Sequence, residues 1–147
     1  MSNVLQSNST KPQIVLLMLS FNYRVYYEDT DSGGVVYYAN YLKYAERART
    51  DFMRHLGINQ GELAENEKLA FVVRKCSAEY LSAAKLDDLL KVSVEITEIG
   101  ASFLKIHQII KRGDKIINRL DVEIVCVDCK SFKPKRIPQN LRKLINQ

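Results

Sequence analysis

Residues 25–41, VYYEDTDSGGVVYYANY, form an acidic, glycine-containing loop between a predicted strand and a predicted helix. The aromatic and β-branched residues from Tyr23 to Tyr27 are typical of a strand, and Gly33-Gly34 frees the chain to turn after the acidic residues. A helical pattern begins just beyond this turn. The order of these elements brings a carboxylate close to the start of a helix.

The start of a helix is suited to binding an oxyanion. Its first backbone N–H groups have no partner inside the helix, and the helix dipole places partial positive charge there. If the loop folds back so that Asp31 lies near the amides around Val36 to Tyr38, the site offers a base or nucleophile and a donor for a carbonyl oxygen. This is the minimum equipment for acyl transfer. Residue types alone, however, favour ordinary turn and capping roles for Asp29 and Asp31.

A long amphipathic helix is predicted from about Ala39 to Leu56. Apolar residues recur there at helical spacing, and Gly57 stands where a C′ glycine ends a helix. The charged residues fall largely on the other faces, so the apolar stripe is interpreted as core. The stripe consists of Leu42, Ala45, Ala48 or Arg49, Phe52 and Leu56.

The second half of the chain is predicted to be mostly strand. A short helix is predicted around Gln60 to Glu67 and a terminal helix over Gln139 to Ile145. Strands are predicted over Phe71–Tyr80, Lys91–Ile99, Ser102–Lys111 and Lys115–Asp128. Short connections between antiparallel neighbours are predicted at the turn residues Asp87-Asp88, Gly100 and Gly113-Asp114. The fold class is therefore α+β.

The loop and the helix behind it resemble a known family. The run from Tyr26 to Tyr37, with ANYL at 39–42 and ERAR at 46–49, resembles the hotdog-fold acyl-CoA thioesterases of the 4-hydroxybenzoyl-CoA thioesterase type. More narrowly, it is similar to their bacterial Tol-Pal-associated branch. The likeness covers roughly residues 21 to 140 and includes Phe71–Lys75, Glu79-Tyr80, Ala83–Asp88 and Val125–Asp128. It implies a hotdog fold, in which an antiparallel sheet of about five strands wraps around one long helix.

The resemblance implies hydrolysis of an acyl-CoA thioester without a metal or cofactor. It assigns Asp31 as a nucleophile that forms an acyl-aspartyl anhydride, or as a general base on water, and both roles stay open. The amide of Tyr38 would polarise the thioester carbonyl. Many relatives carry His at this position, whereas this chain has Tyr38, whose backbone N–H is independent of the side chain. Substrate contacts are expected from Gly34 and Val35, and contacts to the CoA phosphates from Lys133, Lys135 and Arg136.

Another carboxylate and two histidines are weaker candidates. Some family members carry the catalytic carboxylate on the long helix, where this chain has Glu46. An ion pair of Glu46 with Arg47, Arg49 or a sheet residue is the preferred interpretation while Asp31 is available. The two histidines, His55 and His107, are predicted to be surface or packed residues, because neither lies beside the acidic loop in sequence.

Length and composition are typical of a single globular domain. The chain has 147 residues, of which 46% are hydrophobic and 27% charged, as is usual for a soluble globular protein. Its 22 basic and 17 acidic side chains give a net charge of +5. This excess is modest and lacks interleaved aromatic residues, so no nucleic-acid groove is predicted. The resemblance instead supplies acyl-CoA and the acidic acyl carrier protein as partners.

Residues 1–20 are predicted to be an N-terminal extension, disordered or partly strand, ahead of a thioesterase domain over 21–147. The apolar run at 14–19 is too short to span a membrane, and the lone Lys11 before it does not resemble a signal-peptide n-region. The chain has three cysteines, Cys76, Cys126 and Cys129. An odd number without an export signal fits reduced structural thiols in the cytoplasm.

The exposed edges of the predicted sheet require protection, which predicts a homodimer or homotetramer. The resemblance implies active sites near the subunit interface. Two other functions stay open. One is a non-catalytic module that binds acyl-CoA or acyl carrier protein, and the other is a scaffold attached to the Tol-Pal cell-envelope machinery.

Overall fold

The computed structural model describes residues 17–146 as one sheet with helices. The strands are β1 (Met18–Arg24), β2 (Leu69–Tyr80), β3 (Leu89–Ile99), β4 (Phe103–Arg112) and β5 (Lys115–Asp128). The helices are α1 (Asn40–His55), α2 (Gln60–Glu62), which continues as a π-helical turn over Leu63–Glu67, and α3 (Gln139–Ile145). The α+β class and every element predicted from residue 39 onwards are confirmed, with boundaries within two residues.

The first strand differs from its prediction. It was expected over Tyr23 to Tyr27, but β1 ends at Arg24, and Tyr27–Asp29 form a 3-10 turn. The Asp29 carboxylate accepts a hydrogen bond from the Tyr26 amide at 2.9 Å, which draws the chain into a turn instead of a ladder. Met18 and Leu19 of the apolar run belong to β1. The rest of the predicted extension, through residue 16, lies outside the described residues.

The five strands pair in the order β1-β3-β4-β5-β2, and every pair is antiparallel. The prediction that β2 and β3 are neighbours through a short turn is therefore wrong. Residues 81–88 between them pair with other parts of the chain: Leu81 N–H bonds Ile117 O and Asp87 N–H bonds Val25 O. The connection crosses the sheet, and β2 becomes an edge strand that has a strand partner on one side only within residues 17–146.

Helix α1 packs across one face of the sheet. Its buried residues are Tyr41, Tyr44, Ala45, Ala48, Phe52 and Met53. The alanines in this stripe let α1 lie close to the strands. Leu42, predicted to be core, is instead 41% exposed, because it lies on the flank of α1 that faces the β2 edge. Gly57 follows the helix with φ +88°, which confirms its place as the C′ glycine.

Register shifts bend the sheet around the helix. They occur between Val73 and Lys75 in β2 and between Ile96 and Glu98 in β3, and such bulges increase local twist. Helix α3 closes the core with Leu141 and Ile145, which join the same buried cluster as α1. The structure thus has one long helix packed against an antiparallel sheet, as the family resemblance implies.

Candidate active site

The acidic loop folds back on itself before α1 begins. Thr30 pairs with Val36, and the Asp31 amide donates to Val35 O at 2.9 Å. Gly34 lies at the tip with φ +81°, a conformation that favours glycine. A second contact, from the Tyr37 amide to Asp29 O at 3.2 Å, holds the end of the loop against its beginning. The loop therefore places Asp31 close to the residues that lead into α1.

The two aspartates of the loop have different surroundings. The Asp29 carboxylate accepts from the Tyr26 amide and, at 2.7 Å, from the Tyr44 hydroxyl, so it ties the loop to the buried face of α1. Asp31 is exposed, and its Oδ1 accepts from the Gly33 amide at 2.8 Å. No ion pair to Asp31 occurs among residues 17–146. The Asp31 carboxylate is therefore oriented by its own turn and accessible from solvent.

Helix α1 begins without a side-chain cap. Ala39 is the N-cap residue and cannot accept a hydrogen bond through its side chain. The amides of Asn40, Tyr41 and Leu42 bond carbonyls three residues back. Within the described part of the chain, the amides of Tyr38 and Ala39 have no such partner. These two donors stand at the positive end of a 16-residue helix, where a carbonyl oxygen or oxyanion would be stabilised.

A cluster of tyrosines surrounds this helix start. The ring of Tyr38 is 61% exposed and meets the ring of Tyr80 edge-on at 5.9 Å. Tyr80 also lies 5.9 Å from the ring of Tyr41, whose hydroxyl accepts from the Ala84 amide. Burial raises the pKa of Tyr41. Sequence reasoning missed Tyr80, since it comes from β2, and only pairing of β2 with β5 brings it beside the loop.

A groove runs between α1 and the edge of β2, starting beside the helix N-terminus. Cavities of about 230 and 390 Å³ share Glu46, Arg49 and Val73 in their walls. Glu46 has no ion pair among the described residues, contrary to its predicted role. Arg49 donates instead to the buried Gln108 side chain at 2.9 Å, and burial lowers the pKa of Arg49. Leu42 lines the end of the groove nearest the helix start.

The three predicted phosphate-binding residues do not join Asp31 within one protomer. Lys133, Lys135 and Arg136 are exposed and follow the C-terminal end of β5. The helix start lies over the other end of β5, where Asn118 pairs with Tyr80. The Lys135 amide bonds Cys126 O, so the basic segment turns back beside the end of β5. From Asn118 to Cys126, β5 extends roughly 26 Å at about 3.3 Å per residue. Gly34 and Val35, which are expected to contact the substrate, lie by comparison in the same loop as Asp31.

The remaining candidates lie elsewhere. His107 contacts Asp121 at 2.8 Å from adjacent strands, and His55 is exposed at the end of α1. All three cysteines are free thiols. Residues 17–146 hold no group of three or more side chains suited to a metal ion. No helix in that same range has the length and apolarity needed to cross a membrane.

An antiparallel five-stranded sheet wrapped around one long helix defines a hotdog-fold protein. The thioesterase-like superfamily model matches residues 25–145. The chain belongs to this superfamily. It is 44% identical over 123 residues to the acyl-CoA thioesterase YbgC of Haemophilus influenzae, covering 84% of this chain and 90% of that protein. The Helicobacter pylori (strain J99) acyl-CoA thioesterase YbgC is 40% identical over 113 residues, covering 77% and 71%.

Solved structures agree with this assignment. A probable thioesterase from Bartonella henselae superimposes with a TM-score of 0.79 at 37% identity, covering 83% of this chain and 100% of that one. A 4-hydroxybenzoyl-CoA thioesterase variant complexed with 4-hydroxybenzoyl-CoA gives a TM-score of 0.81 at 19% identity, covering 87% and 98%. The second likeness supports the fold alone. The predicted hotdog fold and family resemblance are confirmed.

Proposed function

We propose that this protein hydrolyses acyl-CoA thioesters to the free acid and CoA, with Asp31 and the start of α1 as its active site. The observation that carries the proposal is a single folded-back loop, closed by the Thr30–Val36 bridge, that contains the exposed Asp31 carboxylate and leads to amides at Tyr38 and Ala39 without a partner among the described residues. The relatives named acyl-CoA thioesterase, at 40 to 44% identity, support the same activity.

Two chemical routes fit this pair of groups. In the first, Asp31 attacks the thioester carbon, the carbonyl electrons move onto oxygen, and CoA leaves as thiolate to give an acyl-aspartyl anhydride that water then cleaves. In the second, Asp31 removes a proton from water as the water oxygen attacks the same carbon, and the C–S bond then breaks so that CoA leaves as thiolate and the free acid remains. In both routes the Tyr38 N–H stabilises the negative oxygen. One such donor contributes about a hundred- to a thousand-fold in rate in other acyl-transfer enzymes.

A dimer would supply the missing phosphate contacts. If β2 pairs with the β2 of a second copy about a two-fold axis, the strands run antiparallel and both α1 helices stay on one face. The N-terminal end of the partner strand, and with it the partner's basic segment after β5, then lies at the same end as Asp31. Lys133, Lys135 and Arg136 would therefore bind CoA phosphates in the neighbouring subunit's site. Homodimers, paired further into tetramers, belong to this proposal.

Thiol release from purified protein tests the activity. Wild type and Asp31→Asn are assayed side by side on short, long and aromatic acyl-CoAs. We expect turnover in wild type and a loss of at least about 1000-fold in the variant, because the amide neither attacks nor accepts a proton. Asp31→Asn should keep the wild-type unfolding midpoint, since its Oδ1 can still accept from Gly33. Wild-type rates in the variant would remove Asp31 from the mechanism.

A non-catalytic module for acyl-CoA or acyl carrier protein, linked to the Tol-Pal system, is the second candidate. The exposed cations at 130–136 favour an acidic or phosphorylated partner. Ligand-dependent thermal stabilisation with background turnover on every acyl chain, whether carried by CoA or by acyl carrier protein, would support it. The free thiols agree with the proposed cytoplasmic location.

A further inference from the structure

The segment that follows β5 holds an aromatic ring in solvent among positive charges. Phe132 is 64% exposed. The surrounding residues 130–136 carry four exposed cations and no acidic side chain; the cations are Lys130, Lys133, Lys135 and Arg136. A single exposed apolar residue is common on protein surfaces and by itself indicates no site. The backbone at Phe132 is what sets this residue apart.

The turn holds Phe132 in a conformation that L residues rarely adopt. Its φ is +59°, in the left-handed region where glycine or asparagine would be accommodated at lower cost. Backbone bonds impose this geometry: the Phe132 amide donates to Asp128 O at 2.8 Å, and the Asp128 amide donates to Lys133 O at 2.9 Å. The Asp128 carboxylate adds bonds from the Lys130 and Ser131 amides at 3.0 and 2.8 Å. None of these bonds uses the ring of Phe132.

The ring therefore has no evident task in the fold. In the described part of the chain it makes no aromatic or cation–π contact. The chain beyond it turns back along the end of β5, since Val127 bridges Pro134 and the Lys135 amide donates to Cys126 O at 2.8 Å. The ring and its neighbouring cations are thus fixed together before any ligand binds, which reduces the entropy cost of binding.

We propose that Phe132 stacks on the adenine ring of CoA, between cations that bind the phosphates of the same nucleotide. The inference rests on the proposed thioesterase function and names the carrier of its substrate. An aromatic side chain offers a flat face to a base, and cations beside it attract phosphate. Phe132 is the one exposed large apolar residue of 130–136, which suits a single base better than a bilayer, where affinity grows with buried apolar area.

This contact would separate two carriers that share the same thioester. CoA and acyl carrier protein both present the acyl group on phosphopantetheine, but only CoA continues into adenine. Stacking on Phe132 therefore favours CoA thioesters over carrier-protein thioesters, whereas the cations alone would attract either one.

Tryptophan fluorescence tests the stacking directly. The chain has no tryptophan, so Phe132→Trp introduces a single fluorophore at the proposed contact. The variant is titrated with CoA, adenosine 3′,5′-bisphosphate and 4′-phosphopantetheine. We expect CoA and the bisphosphate to quench the fluorescence, because adenine stacks on the indole, and phosphopantetheine to leave it unchanged. Met18→Trp is the matched control, since Met18 is 59% exposed on β1 and separated from β5 by two strands.

Calorimetric titration measures the contribution of the ring to affinity. We expect Phe132→Ala to weaken CoA binding at least about fivefold, and Phe132→Tyr to stay within about twofold of wild type. On acyl-4′-phosphopantetheine, kcat/KM of Phe132→Ala should equal that of wild type. The unfolding midpoint of Phe132→Ala should also be unchanged, because the ring is exposed, so weaker CoA binding would not reflect a loss of folding.

Wild-type CoA affinity in Phe132→Ala, or no quenching of Phe132→Trp by CoA, would overturn the inference. A blue shift of that fluorescence on phosphatidylglycerol vesicles, without a response to CoA, would also overturn it and assign the segment to a lipid surface. The thioesterase proposal fails separately, if wild type releases no thiol from any acyl-CoA while CoA still quenches Phe132→Trp. Thiol release without quenching removes Phe132 from the site and leaves the activity standing.

Discussion

Asp29 and Asp31 are two residues apart, and their side chains point in opposite directions. Asp29 turns inward and fixes the loop to α1 through Tyr44, while Asp31 turns outward and keeps its carboxylate accessible. Asp29 O also accepts a hydrogen bond from the Asn40 side-chain amide at 2.8 Å. Together these bonds hold the loop against α1 and so fix the position of Asp31. Thus one aspartate acts on the fold and the other is available to a substrate.

The bond between Tyr44 and Asp29 predicts an alkaline loss of stability. Burial, and then the bond to Asp29, raise the pKa of Tyr44 above its ordinary value near 10. The folded state keeps the Tyr44 proton that the unfolded state loses. The contribution of Tyr44 to the free energy of unfolding is therefore fully present below pH 10. It falls as the pH rises towards the pKa of Tyr44 in the folded state, by up to about 1.4 kcal/mol per pH unit.

Urea unfolding of wild type and Tyr44→Phe between pH 8 and 11 measures this effect. We expect Tyr44→Phe to cost about 1 kcal/mol near pH 8 and to show a shallower decline above pH 10. Some decline should remain, because burial and a hydrogen bond to Asp51 also raise the pKa of Tyr23. Parallel declines in the two proteins would contradict the proposed role of Tyr44.

At the scale of elements, the start of α1 contributes backbone amides, not a side chain. The Tyr38 and Ala39 amides precede the first helical residue and have no partner among the described residues. A capping side chain at position 39 would accept from the second or third helical amide and would leave these two donors open. The tyrosine at position 38, where the family resemblance leads one to expect His, therefore changes the surroundings of this donor without removing it.

Replacing Tyr38 by Phe tests whether the backbone or the hydroxyl acts on the carbonyl. Tyr38→Phe keeps the amide and the ring contact with Tyr80, so we expect kcat within about threefold of wild type. Steady-state kinetics on the best acyl-CoA measure this. Tyr80→Phe is the matched control, since it removes a neighbouring hydroxyl from the same cluster. A hundredfold fall in Tyr38→Phe alone would assign a catalytic role to the Tyr38 hydroxyl.

At the scale of the molecule, the described chain separates its proposed catalytic and phosphate-binding groups. Asp31 and the basic residues after β5 lie at opposite ends of a long strand, and β2 remains an unpaired edge. Antiparallel pairing of β2 with the β2 of a second chain would cover this edge. It would also bring the basic residues of one chain to the Asp31 end of the other. The proposed complete site is therefore a property of two chains.

Mixed dimers test this arrangement. One variant carries Asp31→Asn, and the other carries Lys133→Ala, Lys135→Ala and Arg136→Ala together. At substrate concentrations below KM, each alone should lose at least about 10-fold in activity. Differently tagged chains refolded together should recover about a quarter of wild-type activity, since half of the dimers are mixed and each regains one site. No recovery despite isolated mixed dimers would place both sets of residues in one chain's site.

Much of the fold could be predicted from the sequence, because its signals are local. Helical spacing with Gly57 at the end predicted α1, and alternating β-formers predicted β3 to β5. The loop was predictable for the same reason: acidic residues followed by Gly33-Gly34 favour a turn before a helix. These patterns depend on backbone preferences and on one buried face, and both are written within a few neighbouring residues.

Tertiary structure alone decided how distant segments meet. Strand order moved β2 to the edge, carried Tyr80 to the helix start and placed Lys133 far from Asp31. The same packing left the buried Asn118 side chain without a hydrogen-bond partner among the described residues while satisfying Gln108. Strand partners are chosen by the summed burial of whole elements, and no local pattern encodes that sum. The sequence by itself therefore determined the elements and the acidic loop, whereas packing determined which side chains gather around them.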